Sequence, residues 1–378
     1  MKIPFNKPFI AGKELYYIAQ AVLTGQLSGD GFYTKMCHQW FEENLECKKA
    51  LLTHSCTAAL EMAAILCDIQ PGDEVIMPSF TFVSTANAFV LRGGRPVFVD
   101  IRPDTLNLDE RLIEMSITPK TRAIVAVHYA GVPCAMDEIL DIAKRYHLLV
   151  IEDAAQALLS KFKDRFIGTI GHLGCLSFHE TKNIISGEGG ALLINDEQFI
   201  ERAEIIREKG TDRSKFNKGE VEKYTWVDIG SSYLPSELTG AFLYAQLEQA
   251  EKIIARRCEI HRHYNELLQP LYERELIQLP FSREDCMNNG HIFYILTRSR
   301  DERSRLIAYL KERSIWALFH YVPLHSSAAG IKYGRVSGKM AITDDTSERI
   351  LRLPMYYEMC NEDIERVVEA VEEFYRNS

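Results

Sequence analysis

Between about residue 50 and residue 195, short apolar runs alternate with segments whose apolar positions recur at helical spacing. EVIM near 74, PVFVDI near 96, RAIVAVH near 122, LLVIED near 148 and LGCLSF near 173 read as buried strands. STANAFVLR and MDEILDIAKRYH, lying between them, read as helices. Such alternation requires crossover connections, so it predicts an α/β fold with a mostly parallel sheet and helices on both faces. Beyond about residue 235 the pattern changes to a helical stretch from Ser236 to roughly Leu268. A strand at HIFYILT, a helix at ERSRLIAYLKERS, a strand at IWALFHY and a terminal helix from Asn361 follow. The change divides the chain into a large α/β domain over 1–250 and a small α+β domain over 251–378, with the long helix bridging them. Ligands of open sheets sit beyond the carboxyl ends of the strands. That rule singles out Asp153, just past LLVIE, and the residues from Ser177 to Lys182, just past GCL.

Composition narrows the function. The 378 residues are 46% hydrophobic and 26% charged, the averages of a globular protein, with a formal net charge of -9. That charge repels a phosphate backbone, so nucleic acid is not an expected partner. The nine cysteines are scattered, without a CxxC pair, which speaks against a disulfide framework or a zinc cluster and for a reducing cytoplasm. No apolar run reaches the roughly 20 residues that span a bilayer, and MKIPFNKPFI has no signal-peptide core, so neither membrane nor export is expected.

CLSFHETKNIISGEGGALLIND places Lys182 between a strand and a Gly-rich turn. Its company gives it a role: each residue near it answers a need of pyridoxal phosphate. A lysine amine forms the imine with the cofactor aldehyde and then moves the proton between the amino carbon and the cofactor. Asp153 suits the pyridinium nitrogen, which a carboxylate keeps protonated; a helix N-cap before AAQA is the competing role. Gln156 suits the phenolic oxygen, or else is an ordinary helical polar residue. LLTHSCTAALEMAAILC puts Ser55, Cys56 and Thr57 at a helix N-terminus, where free N–H groups and the dipole favour a phosphate, although capping alone also explains them. Phe82 is placed to stack on a flat ring, whereas Phe80 and Phe89 fit core packing. Gly187, Gly189 and Gly190 permit a tight turn, and no GxGxxG loop is present, which removes a nicotinamide dehydrogenase. The basic stretch REKGTDRSKFNKGEVEKYTW fits a pyrophosphate or a solvated loop equally. His320, Tyr321 and His325 in FHYVPLH lie on the rim as substrate contacts, without a third metal ligand nearby.

DEVIMPSFTFVSTANA, VFVDI, HYAG, VIEDAAQA, GCLSFHETKN with GEGG, and VPLH together resemble the DegT/DnrJ/EryC1/StrS family of sugar aminotransferases across nearly the whole chain. The resemblance implies a fold-type I, aspartate-aminotransferase-like homodimer with active sites at the subunit interface. It assigns Lys182, Asp153, Gln156, Ser177, Phe82 and the Ser55, Cys56, Thr57 loop to pyridoxal 5'-phosphate. A lysine rather than a histidine at 182 implies transamination rather than deoxygenation. The implied donor is L-glutamate and the implied acceptor the C4 ketone of dTDP-4-dehydro-6-deoxy-D-glucose. The product would be dTDP-4-amino-4,6-dideoxy-D-galactose, for cell-surface polysaccharide of the enterobacterial common antigen type. A C3 ketone, another nucleotide or the other C4 epimer stays open, as does a cofactor-fold protein that binds without turnover. Two positions depart from the family. Many members carry an Asn and an Arg where IGSSYL has Ser232 and Leu234, which makes Ser232 the substitute donor to the cofactor phosphate of the partner subunit. Cys56 stands where glycine is common and offers its backbone alone.

Overall fold

The computed structural model describes residues 2–281 and 285–377. Its strands are β1 Lys49–Thr53, β2 Glu74–Pro78, β3 Arg95–Val99, β4 Thr121–Val127, β5 Leu149–Asp153, β6 Lys161–Phe162, β7 Arg165–Phe166, β8 Leu173–Ser177, β9 Gly190–Ile194, β10 Cys286–Met287, β11 Phe293–Leu296, β12 Arg335–Val336 and β13 Ile350–Leu353. Its α-helices are α1 Glu14–Leu23, α2 Phe32–Leu45, α3 Cys56–Leu66, α4 Val83–Val90, α5 Met136–Tyr146, α6 Ile200–Arg207, α7 Arg213–Asn217, α8 Glu237–Leu247, α9 Ala250–Glu273, α10 Arg300–Glu312, α11 Ala328–Tyr333, α12 Ala341–Arg349 and α13 Asn361–Arg376. None of the described helices is long and apolar enough to cross a membrane.

Eight strands form the main sheet in the order β1-β9-β8-β5-β4-β2-β3-β12. All neighbours from β8 to β12 run parallel, and β9 alone is antiparallel to both of its neighbours. Successive strand residues point to opposite faces, and both faces are covered. Ile76, Val97, Val99, Ile124 and Val150 pack with α2, α5 and the start of α9, while Val75, Phe98, Val125, Ile151 and Leu173 pack with α3, α4 and α6. α5 shows why its segment is helical: Met136, Ile139, Ile142 and Ala143 form one buried stripe, Asp137 and Glu138 lie in the first turn, and Lys144 and Arg145 in the last.

A second core gathers Ile260, Tyr264 and Leu268 of α9 with α10, α13 and the antiparallel pair β11 and β13. Two segments cross the sequence division at 250/251: Ile3 packs in this second core, and β12 pairs with β3 of the large sheet. Two expectations change. The stretch from Ser236 to Leu268 is two helices, because Gln249 leaves helical geometry (φ -113, ψ 9) and redirects α9 toward the second core. IWALFHY is not a strand: it makes one bridge from Ile315 to Ile3 and one from Leu318 to Arg352, then turns away at His320. The N-terminus of α2 is satisfied from a distance, since the buried Glu237 carboxylate accepts from the N–H groups of Gly31, Tyr33 and Thr34.

Candidate active site

A cavity of about 690 Å³ opens where β5 and β8 end, and Lys182, Asp153, Gln156, Ser177, Phe82, Ser55, Cys56 and Thr57 all line it. Residues up to 127 positions apart in sequence thus meet at the carboxyl edge of the sheet, where a parallel sheet collects its ligands. Lys182 lies in the connection that reverses the chain between β8 and β9. Gly187 takes φ +79 in that turn, and a side chain at Gly190 would meet the carbonyl carbon of Ser55 at 2.3 Å. Gly190 is therefore required for close approach, and it draws the lysine turn against the start of α3.

The Ser55 hydroxyl accepts from Ala58 N at 3.1 Å, and the Thr57 hydroxyl meets that of Ser84 at 2.8 Å. Capping thus occupies Ser55 while the first N–H groups of α3, which have no partner within a helix, remain for an anion. Asp153 is buried, with Oδ2 accepting from Thr85 Oγ1 at 2.7 Å and Oδ1 from Ala155 N at 3.2 Å. The segment Ala154–Ser160 consists of turns, so neither the helix-cap role of Asp153 nor a helical setting for Gln156 survives. Gln156 accepts from Ala130 N at 2.8 Å and donates to Tyr321 OH at 3.2 Å. Phe82 caps α4 and is 57% exposed, whereas Phe80 and Phe89 are buried, as their spacing implied.

Burial pushes the Lys182 amine below its ordinary value of 10.5, and Arg352 adds to the effect while Asp153 opposes it. The neutral amine is thereby favoured, which is the form that acts as nucleophile or base. His320 Nδ1 meets Tyr129 OH at 2.8 Å, and burial, with the charges of Arg352 and Lys182, pushes its imidazole down to about 2. The Tyr321 ring lies against that of His320, tilted by 30° with centroids 3.5 Å apart, and both line the cavity. His325 does not line it: its Nδ1 and N–H engage Ser79 Oγ, at 2.8 and 2.9 Å. Ser232 is exposed and stands outside the cavity of its own subunit, bridging Glu208 through its backbone.

Sequence reasoning missed several polar residues that complete the site. Thr85 orients Asp153. The neighbouring Glu152 is fully buried and accepts from the N–H groups of Gly168, Ile170 and Gly171 at 2.8, 2.7 and 2.6 Å. His128 Nδ1 accepts from Cys134 N at 3.1 Å, so its proton sits on Nε2 and is donated to Glu152 at 3.1 Å. This clamp holds the end of β5 and hence Asp153. Arg257, His291 and Arg352 also line the cavity, and no local signal marked them. A buried lysine amine, a buried carboxylate, an exposed aromatic ring and a helix N-terminus make a donor set that fits pyridoxal phosphate.

The profile of the DegT/DnrJ/EryC1/StrS aminotransferase family matches residues 9–372. GDP-perosamine synthase of Escherichia coli O157:H7 is 32% identical over 374 residues, covering 99% of this chain and 98% of that protein. Spore coat polysaccharide biosynthesis protein SpsC of Bacillus subtilis is also 32% identical, covering 100% and 98%. The PLP-form of Spr1654 from Streptococcus pneumoniae has the same fold, with a TM-score of 0.92 over 100% of this chain and 99% of that one at 23% identity.

Proposed function

The chain belongs to the DegT/DnrJ/EryC1/StrS aminotransferase family and uses pyridoxal phosphate, and from that premise we propose that it moves the amino group of L-glutamate to C4 of dTDP-4-dehydro-6-deoxy-D-glucose. The products are 2-oxoglutarate and dTDP-4-amino-4,6-dideoxy-D-galactose, the latter for cell-surface polysaccharide. The observation that carries the reading is the meeting of Lys182 with Asp153 in one cavity beside the start of α3.

Bound there, pyridoxal phosphate supplies an aldehyde that exchanges amines and a ring that accepts electrons. Lys182 would hold the group, and its amine would take the proton from the amino carbon of the donor and return one to C4 of the sugar. Asp153, fixed by Thr85, would pair with the ring nitrogen. The N–H groups of Cys56 and Thr57 would hold its phosphate, Gln156 and Ser177 would bind its oxygens, and Phe82 would lie against it. His320 and Tyr321 wall the sugar side and exclude water.

A homodimer is supported by the exposed apolar side chains Leu15, Leu23, Leu91 and Trp226, which a second copy would cover. In that dimer Ser232 reaches the cofactor phosphate of the other subunit. The scattered cysteines support a cytoplasmic setting. The likeness to GDP-perosamine synthase favours a guanosine nucleotide as the second reading. The test offers the purified enzyme dTDP-, UDP- and GDP-linked 4- and 3-dehydro sugars with L-glutamate and identifies the aminated product by NMR. Amination of only a C3 ketone, or only of sugars on another nucleotide, refutes the acceptor assignment.

A further inference from the structure

Lys182 and Asn183 are neighbours in sequence, yet their side chains face different surroundings. Lys182 lines the cavity, whereas the buried Asn183 amide engages the segment that carries Asn289 and His291. Asn183 Nδ2 donates to the carbonyl of Asn289 at 2.9 Å, and because a carbonyl accepts and cannot donate, that side of the amide is its nitrogen. The other side is then the oxygen, and it meets His291 Nδ1 at 3.0 Å. An amide oxygen has no proton to give, so Nδ1 carries the ring proton. Burial pushes the His291 imidazole well below its ordinary value, and the charges of Lys182, Arg257, Arg352 and His320 add to the effect, so the ring is neutral. A neutral ring protonated at Nδ1 has a bare lone pair on Nε2.

The position of that lone pair is fixed. Arg257 of α9 donates to the carbonyls of Gly290 and His291 at 3.0 and 2.7 Å, and Asn289 Nδ2 donates to the carbonyls of Gln156 and Leu158 at 3.0 and 2.9 Å. These bonds hold the backbone while Asn183 holds the ring. His291 lines the same cavity as Lys182, and no group among the described residues donates to its Nε2. The Lys182 amine is likewise without a partner among the described residues, and of the charges around His291 its own acts most strongly. A fixed acceptor thus stands beside a donor on a flexible four-carbon chain. We propose that His291 Nε2 receives the Lys182 amine through a hydrogen bond whenever that amine is not bonded to the cofactor, which makes His291 a positioning residue for the proton carrier. No proton passes to the ring; it stays on Nζ. An ammonium donates more strongly than an amine, so the contact favours the form of Lys182 that carries a captured proton. Burial opposes that form, Cys56 at the start of α3 and Asp153 at the end of β5 support it, and Arg352 of β13 opposes it. The inference rests on Lys182 as the reacting amine and extends that reading to what holds it.

Two variants separate the acceptor from the brace. His291→Asn keeps a donor where Nδ1 stands, and with it the bond to Asn183, but places nothing at Nε2. His291→Gln puts an amide oxygen at the Nε2 position and gives up the bond to Asn183. In the cofactor-free, full-length enzyme, trace acetylation by acetic anhydride across pH, read on Lys182 by peptide mapping, gives the midpoint at which the amine loses its proton. That midpoint should fall by about one pH unit in His291→Asn and by clearly less in His291→Gln. Nitrogen-15 spectra of histidine-labelled enzyme need no reaction: the ring signals missing from His291→Asn should show a protonated Nδ1 and a bare Nε2, and the Nε2 signal should move in Lys182→Ala. An unmoved midpoint in His291→Asn, a proton on Nε2, or an Nε2 signal indifferent to Lys182→Ala overturns the inference. A midpoint that falls in His291→Gln but not in His291→Asn leaves the ring a brace of the lysine turn and overturns it too. A raised KM for the dehydro sugar in His291→Asn with an unmoved midpoint assigns Nε2 to a substrate hydroxyl instead. The titration and the spectra use neither cofactor nor substrate, so their failure is distinct from failure of the aminotransferase reading, which absence of turnover would show.

Discussion

Replacing Asp153 by Asn separates its chemical role from its structural one. The carboxylate makes two hydrogen bonds within the chain, to Thr85 Oγ1 at 2.7 Å and Ala155 N at 3.2 Å. An asparagine keeps both: its oxygen still accepts from Ala155, and its amide donates to the Thr85 hydroxyl, which turns its own proton to Thr81 Oγ1, 2.8 Å away. Folding therefore loses only the charge-assisted part of one bond, about 1 kcal/mol, a shift in Tm of a few degrees at most. The chemistry loses more, because a neutral amide does not hold the ring nitrogen protonated. The half-reaction rate with L-glutamate should fall more than about 200-fold, beyond the 1.5 to 3 kcal/mol of a single charged hydrogen bond. Stopped-flow absorbance gives the rate, equilibrium dialysis the cofactor retained, and calorimetry the Tm. An unchanged half-reaction accompanied by a large drop in Tm would refute the reasoning and leave Asp153 a structural residue.

Lys182→Ala should abolish transamination, and peptide mapping after borohydride reduction of the wild-type enzyme should find the cofactor on Lys182; near-wild-type turnover or labelling of another lysine moves the site. Ser232→Ala should weaken cofactor retention about tenfold at most, the worth of one neutral hydrogen bond. In a mixed dimer with Lys182→Ala subunits, the site with a working lysine takes its Ser232 from the Lys182→Ala partner and should retain cofactor as wild type does. Retention matching the Ser232→Ala homodimer places the contact within one subunit. His320 has a folded value of about 2 against about 6.5 when free, so between those values the unfolded chain binds the extra proton and stability rises with pH. The contribution is complete above about pH 6.5 and falls by about 1.4 kcal/mol at pH 5.5. Denaturant unfolding of cofactor-free protein at pH 7.5 and 5.5 should show a smaller difference in His320→Gln, and an equal difference would rule His320 out as the source.

Elements whose information is local can be read directly from the order of residues. Period-2 and continuous apolar runs specify β2, β3, β4, β5 and β8 because burial on one or both faces leaves a mark on every residue of a strand. The strand-end rule then singled out Asp153 and Lys182, and the helix-start chemistry of Ser55 to Thr57 was legible for the same reason. Helical periodicity alone did not reveal the break at Gln249, because neither glycine nor proline marks it and the redirection comes from α9 joining a second core. IWALFHY has the composition of a strand, but its bridges reach two separate partners, Ile3 and Arg352, so it forms no ladder. The partners of buried polar groups belong wholly to the tertiary structure. Thr85 reaches Asp153, Glu237 caps α2 and Arg352 faces the cavity only after the sheet and the second core bring distant segments together. A side chain's apolarity acts wherever it is buried, whereas a hydrogen bond or an ion pair requires one particular partner at about 3 Å, and only the folded chain decides which group stands there.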